Sequence, residues 1–535
     1  MRYVENSPKL NIGSDVNNDK VNLFIQFFIP PSQVRRNEIN TCLKNNVKNP
    51  FISRIHLMNE RIYTDQELGA SSEKIIQILT QHRMNYSDVF NYCDSIKLTG
   101  YIIIANADIF FNATLNNIFK SDIHLKPIMM AQLRYEYSHS PLKIKLYENI
   151  PGGSSQDAWI YHSNFNNRLA NNAAFNFMLG MPGCDNHITY LFKLLNFKLI
   201  NDPAAIMCFH YHSSNIRSYS KNDKIPAPYL LVSHYGNKKI PVDVNFYEDN
   251  IYLHDYIKSR LDRKKKFIVP RIQGWAENII CSGLYDKKNM TNIITKMKTN
   301  AGVSLTSWNS ISRYKYNHLE AFRNCEMYAG WSTTGCDKCY LYMKPSHDFM
   351  EYTVCKNKTK LWAESVLDIY NFIKCDVVWT TALRGKRILI ISAFVETMKT
   401  KIPVLEKIYG RDLFPECSFI FIKPPQLSGD CESRDWEIEF NLFCVELDSL
   451  KETYDVALLS MGGLGNSCAN YIFTNHGKSS IYIGGVLSMY FGIYSNRWIK
   501  EKSGILKMYM NEHWSRPASS EHYKGCNKIE NGCYV

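Results

Sequence analysis

Apolar runs along the first half of the chain are each closed by polar or turn-forming residues. Val21–Ile29 (VNLFIQFFI) reads as a buried strand stopped by Pro30 and Pro31. Val34, Ile39 and Leu43 then predict a helix over Gln33–Asn45. Arg54–Met58 predicts a short strand, Asn85–Cys93 a helix, and Tyr101–Ala105 and Ile128–Leu133 two further strands. Strands and helices alternating at this length predict an α/β domain with a mainly parallel sheet. Such sheets bind ligands at the carboxyl ends of their strands, where the turn Asn106–Ala107–Asp108 falls. The pattern returns later, with strands predicted at Arg387–Ser392, Ser418–Ile422, Asp455–Ser460 and Ser480–Ile483. Helices are predicted at Met290–Lys298, Glu396–Ile408, Asp435–Glu446 and Ser467–His476, with an irregular aromatic-rich stretch after the first. This predicts a second Rossmann-like sheet. The opening 20 residues lack periodic apolar positions and predict a mobile tail. The run Arg260–Lys266 (RLDRKKK) interrupts the pattern and predicts a solvated linker. The expected division is a tail at 1–20, a first domain at 21–258, a basic linker at 259–266 and a second domain at 267–535.

Composition narrows the class. Of 535 residues, 45% are hydrophobic and 21% charged, so disorder, collagen and coiled coil are excluded for the chain as a whole. The net charge of +13 suits a polyanionic partner: a phosphorylated donor, nucleic acid or an acidic membrane face. Sixteen cysteines are too sparse for a disulfide scaffold. Cys336 and Cys339 form one C-x-x-C, but Cys325 and Cys355 flank it too loosely for the paired spacing of zinc sites, so free thiols are expected. No apolar stretch is long enough for a bilayer and the start carries no secretory pattern, which predicts a cytoplasmic location.

Asp108 is a carboxylate released from a buried strand, a place suited to holding a divalent cation against a diphosphate. A strand-end Asp serves equally well as a cap or turn former. The segments around it add more. YIIIANADIFFNATL (Tyr101–Leu115), AQLRYE (Ala131–Glu136), SQDAWIY (Ser155–Tyr161), FMLGMPGCDNHITYLF (Phe177–Phe192) and NDPAAIMCFHYHSSNIRSY (Asn201–Tyr219) follow in order. This series resembles a family of GT-A-type glycosyltransferases known from giant DNA viruses, bacteria and some eukaryotes, over roughly Val21–Val232. The resemblance implies a GT-A-like domain that moves a sugar from a nucleotide-sugar donor to a glycan or other hydroxyl acceptor, with Mn²⁺ or Mg²⁺.

It also implies roles. Asp108 corresponds to the surviving carboxylate of the DXD motif, with Asn106 in the first acidic position. Asp157 and Asp185 are the carboxylates that approach the acceptor. Asp185 is favoured as general base, because Gly180, Pro182 and Gly183 suggest a loop presenting it before a helix; the alternative is N-cap of a helix Asn186–Leu195. His210 and His212 have same-side spacing on a strand, and His212 is the candidate metal ligand beside Asp108, with ordinary packing as the alternative. Arg134 and Arg217 are candidate donor contacts, and His187 stands where the family carries Arg.

In the second half, IKPPQLSG (Ile422–Gly429), YDVALLSMGGLGN (Tyr454–Asn466), HGKSSIYIGGVLSMYFGI (His476–Ile493), NRW (Asn496–Trp498) and KIENGCYV (Lys528–Val535) resemble a little-characterised family distantly related to the GT-D type. The implied donor-binding residues are Gly462, Gly463, Gly465, Gly484, Gly485 and Arg497, with tight strand–helix packing as the other reading of the glycines. Leu464, Ser488 and Val535 depart from that family's pattern. The expectation is an α/β protein of two Rossmann-like domains, GT-A-like then GT-D-like, with two transferase modules. One active half with an acceptor-positioning partner, or a basic nucleic-acid-binding protein, are the alternatives.

Overall fold

The computed structural model describes residues 2–139, 142–147, 155–214, 216, 219–220, 223–235, 248–272, 274–284, 290–331, 345–432 and 434–529. The chain divides into two compact units, Met1–Asp243 and Val244–Val535.

The strands of the first unit are β1 Arg2–Asn6, β2 Val21–Ile25, β3 Arg54–Asn59, β4 Ile75–Leu79, β5 Tyr101–Ala105, β6 Ile109–Phe111, β7 Ile128–Leu133, β8 Tyr135–His139, β9 Leu142–Leu146, β10 Gln156–His162, β11 Lys198–Ile200, β12 Cys208–His210 and β13 Tyr229–Ser233. Seven of them form one sheet in the order β11-β7-β10-β5-β2-β3-β4. All its pairings are parallel except those of β10, which runs antiparallel to both β5 and β7. The central strands are buried throughout, as VNLFI and YIIIA require when helices or loops cover both faces. The chain steps from β2 outward to β3 and β4, then returns to place β5 on the other side of β2. The carboxyl ends of β2 and β5 therefore flank a topological switch point, the place where a crevice opens. A smaller sheet, β6-β12-β8-β9, stands beside this end.

The first 20 residues are not a free tail. β1 pairs in parallel with β13, Leu10 is buried, and the Leu10 N–H donates to Asp202 Oδ2 at 3.1 Å. Edge pairing satisfies the backbone of this segment without needing an apolar period of its own.

The second unit holds a five-stranded, wholly parallel sheet. Its strands are β14 Ile268–Val269, β17 Arg387–Ile391, β18 Ser418–Ile422, β19 Val456–Leu459 and β20 Ser479–Tyr482, in the order β14-β20-β19-β17-β18. β15 Met327–Gly330 and β16 Thr359–Trp362 form a separate parallel pair. The basic run is not the junction between the units. Its first residues close the helix Glu248–Asp262, which belongs to the second unit and buries Leu253 and Ile257 there. Arg260 pairs with Glu326, and Phe267, directly after the run, is buried. Charge on the exposed face of a helix end leaves the same sequence mark as a linker.

Candidate active site

The carboxyl ends of β2 and β5, the start of β10 and the loop before the helix Cys184–Leu194 enclose a cleft of about 630 Å³. It is lined by Asn106, Asp108, Arg134, Asp157, Asp185 and His212, six of the residues singled out in the sequence. Arg217 lies outside the described residues.

Strand pairing explains why these distant segments meet. β6 and β12 are antiparallel with Ile109 opposite His210, and the Tyr211 N–H donates to Asp108 O at 3.0 Å. That register brings both His210 and His212 to Asp108. From Asp108 Oδ2, His210 Nε2 is 3.2 Å away, His212 Nδ1 3.4 Å, and Arg35 Nη2 2.6 Å. Burial by itself would raise the Asp108 carboxyl, but His210, His212 and Arg35 reverse this and hold it well below the usual carboxylate range. β12 also pairs in parallel with β8, placing His210 against Glu136, whose Oε2 lies 2.9 Å from His210 Nδ1. Burial would lower the His210 imidazolium, yet Asp108 and Glu136 carry it up to about 9.

One ligand atom from each of Asp108, His210 and His212 can be drawn within 4.8 Å of the others, a spacing that fits a divalent cation. His212 Nε2 is buried without a hydrogen bond among the described residues, as a site built for more than packing would leave it. The sequence reading named His212 and Asp108 for the metal but gave His210 no ligand role. The H-x-H spacing carried that signal, since both imidazoles take the same side. Arg35 and Glu38 gave no such signal. They sit one turn apart on the helix Gln33–Lys48, Arg35 Nη1 donates to Glu38 Oε2 at 2.9 Å, and Glu38 accepts the Ser213 and Ser214 N–H groups at 2.7 Å each.

A second cluster forms because β10 runs backwards. Its first residues, Gln156 and Asp157, thereby arrive at the carboxyl ends of β5 and β7. Asn106 Nδ2 donates to Asp157 Oδ1 at 2.7 Å, and Arg134 Nη1 donates to Asp157 Oδ2. Arg134 also donates from Nε to Glu136 Oε1 at 2.7 Å and lies 4.0 Å over the Tyr147 ring. Arg134 thus links the two clusters through Glu136.

Asp185 is the second residue of the helix Cys184–Leu194, whose cap is Gly183 at φ 83°, a conformation that favours glycine. The N-cap alternative for Asp185 is therefore excluded. Its Oδ1 accepts the Asn186 N–H at 2.9 Å. Burial first, and the Asp157 carboxylate after it, push the Asp185 carboxyl up to about 7 against the pull of that N–H. A carboxyl balanced near neutrality is suited to accepting a proton. His187 turns away from the cleft; it is buried with Nδ1 2.9 Å from Pro228 O.

Of the five glycines singled out in the second unit, Gly462, Gly463, Gly465 and Gly484 stand in tight contacts. The Gly463 N–H donates to Ala301 O at 2.7 Å, and a Cβ there would stand 2.5 Å from Val303 Cγ2. A Cβ on Gly465 would stand 2.1 Å from the Tyr482 ring, and Gly462 O accepts from Tyr482 Oη at 2.7 Å. The cavity bordering Gly462 and Leu464 is about 30 Å³, room for water but not for a phosphate. Gly484, at φ 84°, gives passage to the Arg271 guanidinium, which donates to Ile483 O at 2.9 Å. Around Gly485 the space is open, and Ser488 Oγ donates to Gly485 O at 3.0 Å. Arg497 lies 5.2 Å over the Trp498 ring. Cys325 and Cys355 are buried free thiols, and Cys336 and Cys339 lie outside the described residues. Among the described residues no helix is long and apolar enough to cross a membrane.

No protein-family model matches the chain, and no curated protein matches it. Among solved structures, the chain is similar to the mannosyltransferase PcManGT from Pyrobaculum calidifontis, solved with GDP-Man and Mn²⁺, at 12% identity over 40% of this chain and 62% of that one, with a TM-score of 0.28. It is also similar to GalNAc-T7, solved with UDP, GalNAc and Mn²⁺, at 11% identity over 37% of this chain and 44% of that one, with a TM-score of 0.26. In both cases the match spans less than two thirds of the other chain.

Proposed function

We propose that the first unit is a metal-assisted glycosyltransferase that moves a sugar from a nucleotide-sugar donor to a hydroxyl acceptor. The observation that carries this is convergence: five sequence segments spread over Tyr101–Tyr219 contribute residues to one cleft at the switch point of the sheet. Asp108, His210 and His212 would hold a divalent cation, which when bound offsets charge on the departing diphosphate. Asp185 takes the acceptor's hydroxyl proton as that oxygen bonds to the anomeric carbon and the bond to the diphosphate breaks. Arg134 and Asn106 fix Asp157 beside it, where its negative charge adds to burial in keeping Asp185 basic enough to act near neutral pH. For the second unit we propose acceptor positioning rather than a second transfer, because the glycine turn expected to take a phosphate already spends the Gly463 N–H on Ala301.

The test is a screen of UDP- and GDP-sugars with Mn²⁺, reading released nucleoside diphosphate. The full chain should turn over one donor class, and Asp185→Asn should lose transfer by about 100-fold or more while still binding donor. Absence of nucleotide-sugar binding, with steeply salt-dependent affinity for DNA, would instead favour a nucleic-acid-binding protein.

A further inference from the structure

We infer that Arg83 is a positioning residue that grips the donor's diphosphate without help from a metal. The inference rests on the glycosyltransferase reading and deepens it.

Most cations lining the cleft are already committed. Arg35 is bound to Asp108 and Glu38, Arg134 to Asp157 and Glu136, and His210 lies between Asp108 and Glu136. Arg83 also lines the cleft, yet its guanidinium makes no hydrogen bond or close ion pair among the described residues. Asp223, an exposed carboxylate outside ion-pair distance, feels its charge.

Its position is specific. Arg83 follows β4, on a loop held to the Gly180 loop by the Leu179 N–H donating to Met84 O at 3.0 Å and by the bridge between Asn85 and Met178. Gly180 takes φ 73°, and a Cβ there would stand 3.1 Å from Arg83 Nη2 and 3.6 Å from Asn106 Oδ1. The guanidinium and the oxygen end of the Asn106 amide therefore both lie beside Gly180, while the nitrogen end of that amide is bound to Asp157. The Asn106–Asp108 turn has a neutral Asn in its first acidic position, and the amide is spent on Asp157. One carboxylate is left to recruit a metal, so the turn holds a cation more weakly than a carboxylate pair would, and a diphosphate arriving without metal meets little positive charge there. An unmatched guanidinium beside it supplies the missing charge, and its planar fork suits two phosphate oxygens at once.

The experiment measures binding of UDP and GDP, and of uridine and guanosine, to the full chain in EDTA by calorimetry. Wild type should bind one nucleoside diphosphate in EDTA, and more tightly than its nucleoside. Arg83→Ala should weaken the diphosphate by at least about 10-fold and leave the nucleoside unchanged, and Arg83→Lys should fall between. Unchanged nucleoside binding serves as the folding control. Arg83→Ala within twofold of wild type for the diphosphate in EDTA overturns the inference about Arg83. Wild type that binds neither diphosphate, with or without Mn²⁺, overturns the glycosyltransferase reading itself.

Discussion

At Asp108 a guanidinium and two imidazoles converge on one carboxylate oxygen, within 2.6 to 3.4 Å. The same carboxylate and imidazoles are spaced to hold a divalent ion, as proposed above. Asp108→Asn should therefore cut Mn²⁺ affinity by about 10-fold or more, the scale of a lost charged contact, read by calorimetry or by the spin signal of free Mn²⁺. The Asp185 carboxyl invites two measurements. As a base it must be ionised, so kcat/KM should rise with pH through about 7. Its folded-state pKa lies above that of an unfolded aspartate, so its contribution to stability is fully present below the unfolded value and fades as pH rises through about 7. Asp185→Asn should therefore melt above wild type at pH 8 and lose that advantage toward pH 4, by calorimetric scans. Equal shifts at both pH values would mean that Asp185 is not held near neutrality. Asp108 was singled out by its place at a strand end, and Asp157 and Asp185 by the resemblance of their segments to a known family; all three line the one cleft. Arg35, Glu38 and Arg83 were not legible in the sequence, because nothing local distinguishes a helix-face or loop residue that reaches a cleft built by other strands.

At the scale of elements, apolar strands were the most readable. Tyr101–Ala105, Ile128–Leu133 and Ser418–Ile422 have the bounds that their apolar runs predict. Helices were less so. The single helix expected over Glu396–Ile408 is two, Val395–Lys401 and Leu405–Tyr409, parted at Pro403, which has no N–H to continue the ladder. The stretch taken as irregular contains the helix Trp308–Asn324, capped by Ser307 and burying Ile311, Tyr314, His318, Leu319 and Phe322 at helical spacing. Polar His and Tyr at core positions hid its period. The Met461–Asn466 turn has two readings in the sequence, a phosphate loop or tight strand–helix packing, and its contacts yield a sharper expectation. Gly463→Ala should destabilise the second unit by about 1–3 kcal/mol through overpacking against Val303. Donor binding by the first unit should be unchanged, as read by calorimetry. Lost donor binding with unaltered stability would restore the phosphate role.

For the whole molecule the boundary matters most. Two α/β units were legible because each repeats a strand–helix series, but their junction was not, since the basic run is a helix end rather than a linker. A fragment of residues 1–243 should fold cooperatively and bind donor. One of residues 1–258 should be less soluble, because it carries Leu253 and Ile257 away from the second unit that buries them. Equal behaviour of the two fragments, by thermal melts and gel filtration, would put the boundary back at the basic run.

As proposed, the switch-point cleft of the first unit takes a nucleotide donor through the Asp108, His210 and His212 cluster. The most direct test of this is calorimetric titration of UDP and GDP into the full chain, with and without Mn²⁺, for wild type and Asp108→Asn. The account predicts that Mn²⁺ tightens one diphosphate for wild type and that Asp108→Asn abolishes this gain while its metal-free binding persists. An equal gain from Mn²⁺ in both proteins, or no diphosphate binding in either, would contradict it.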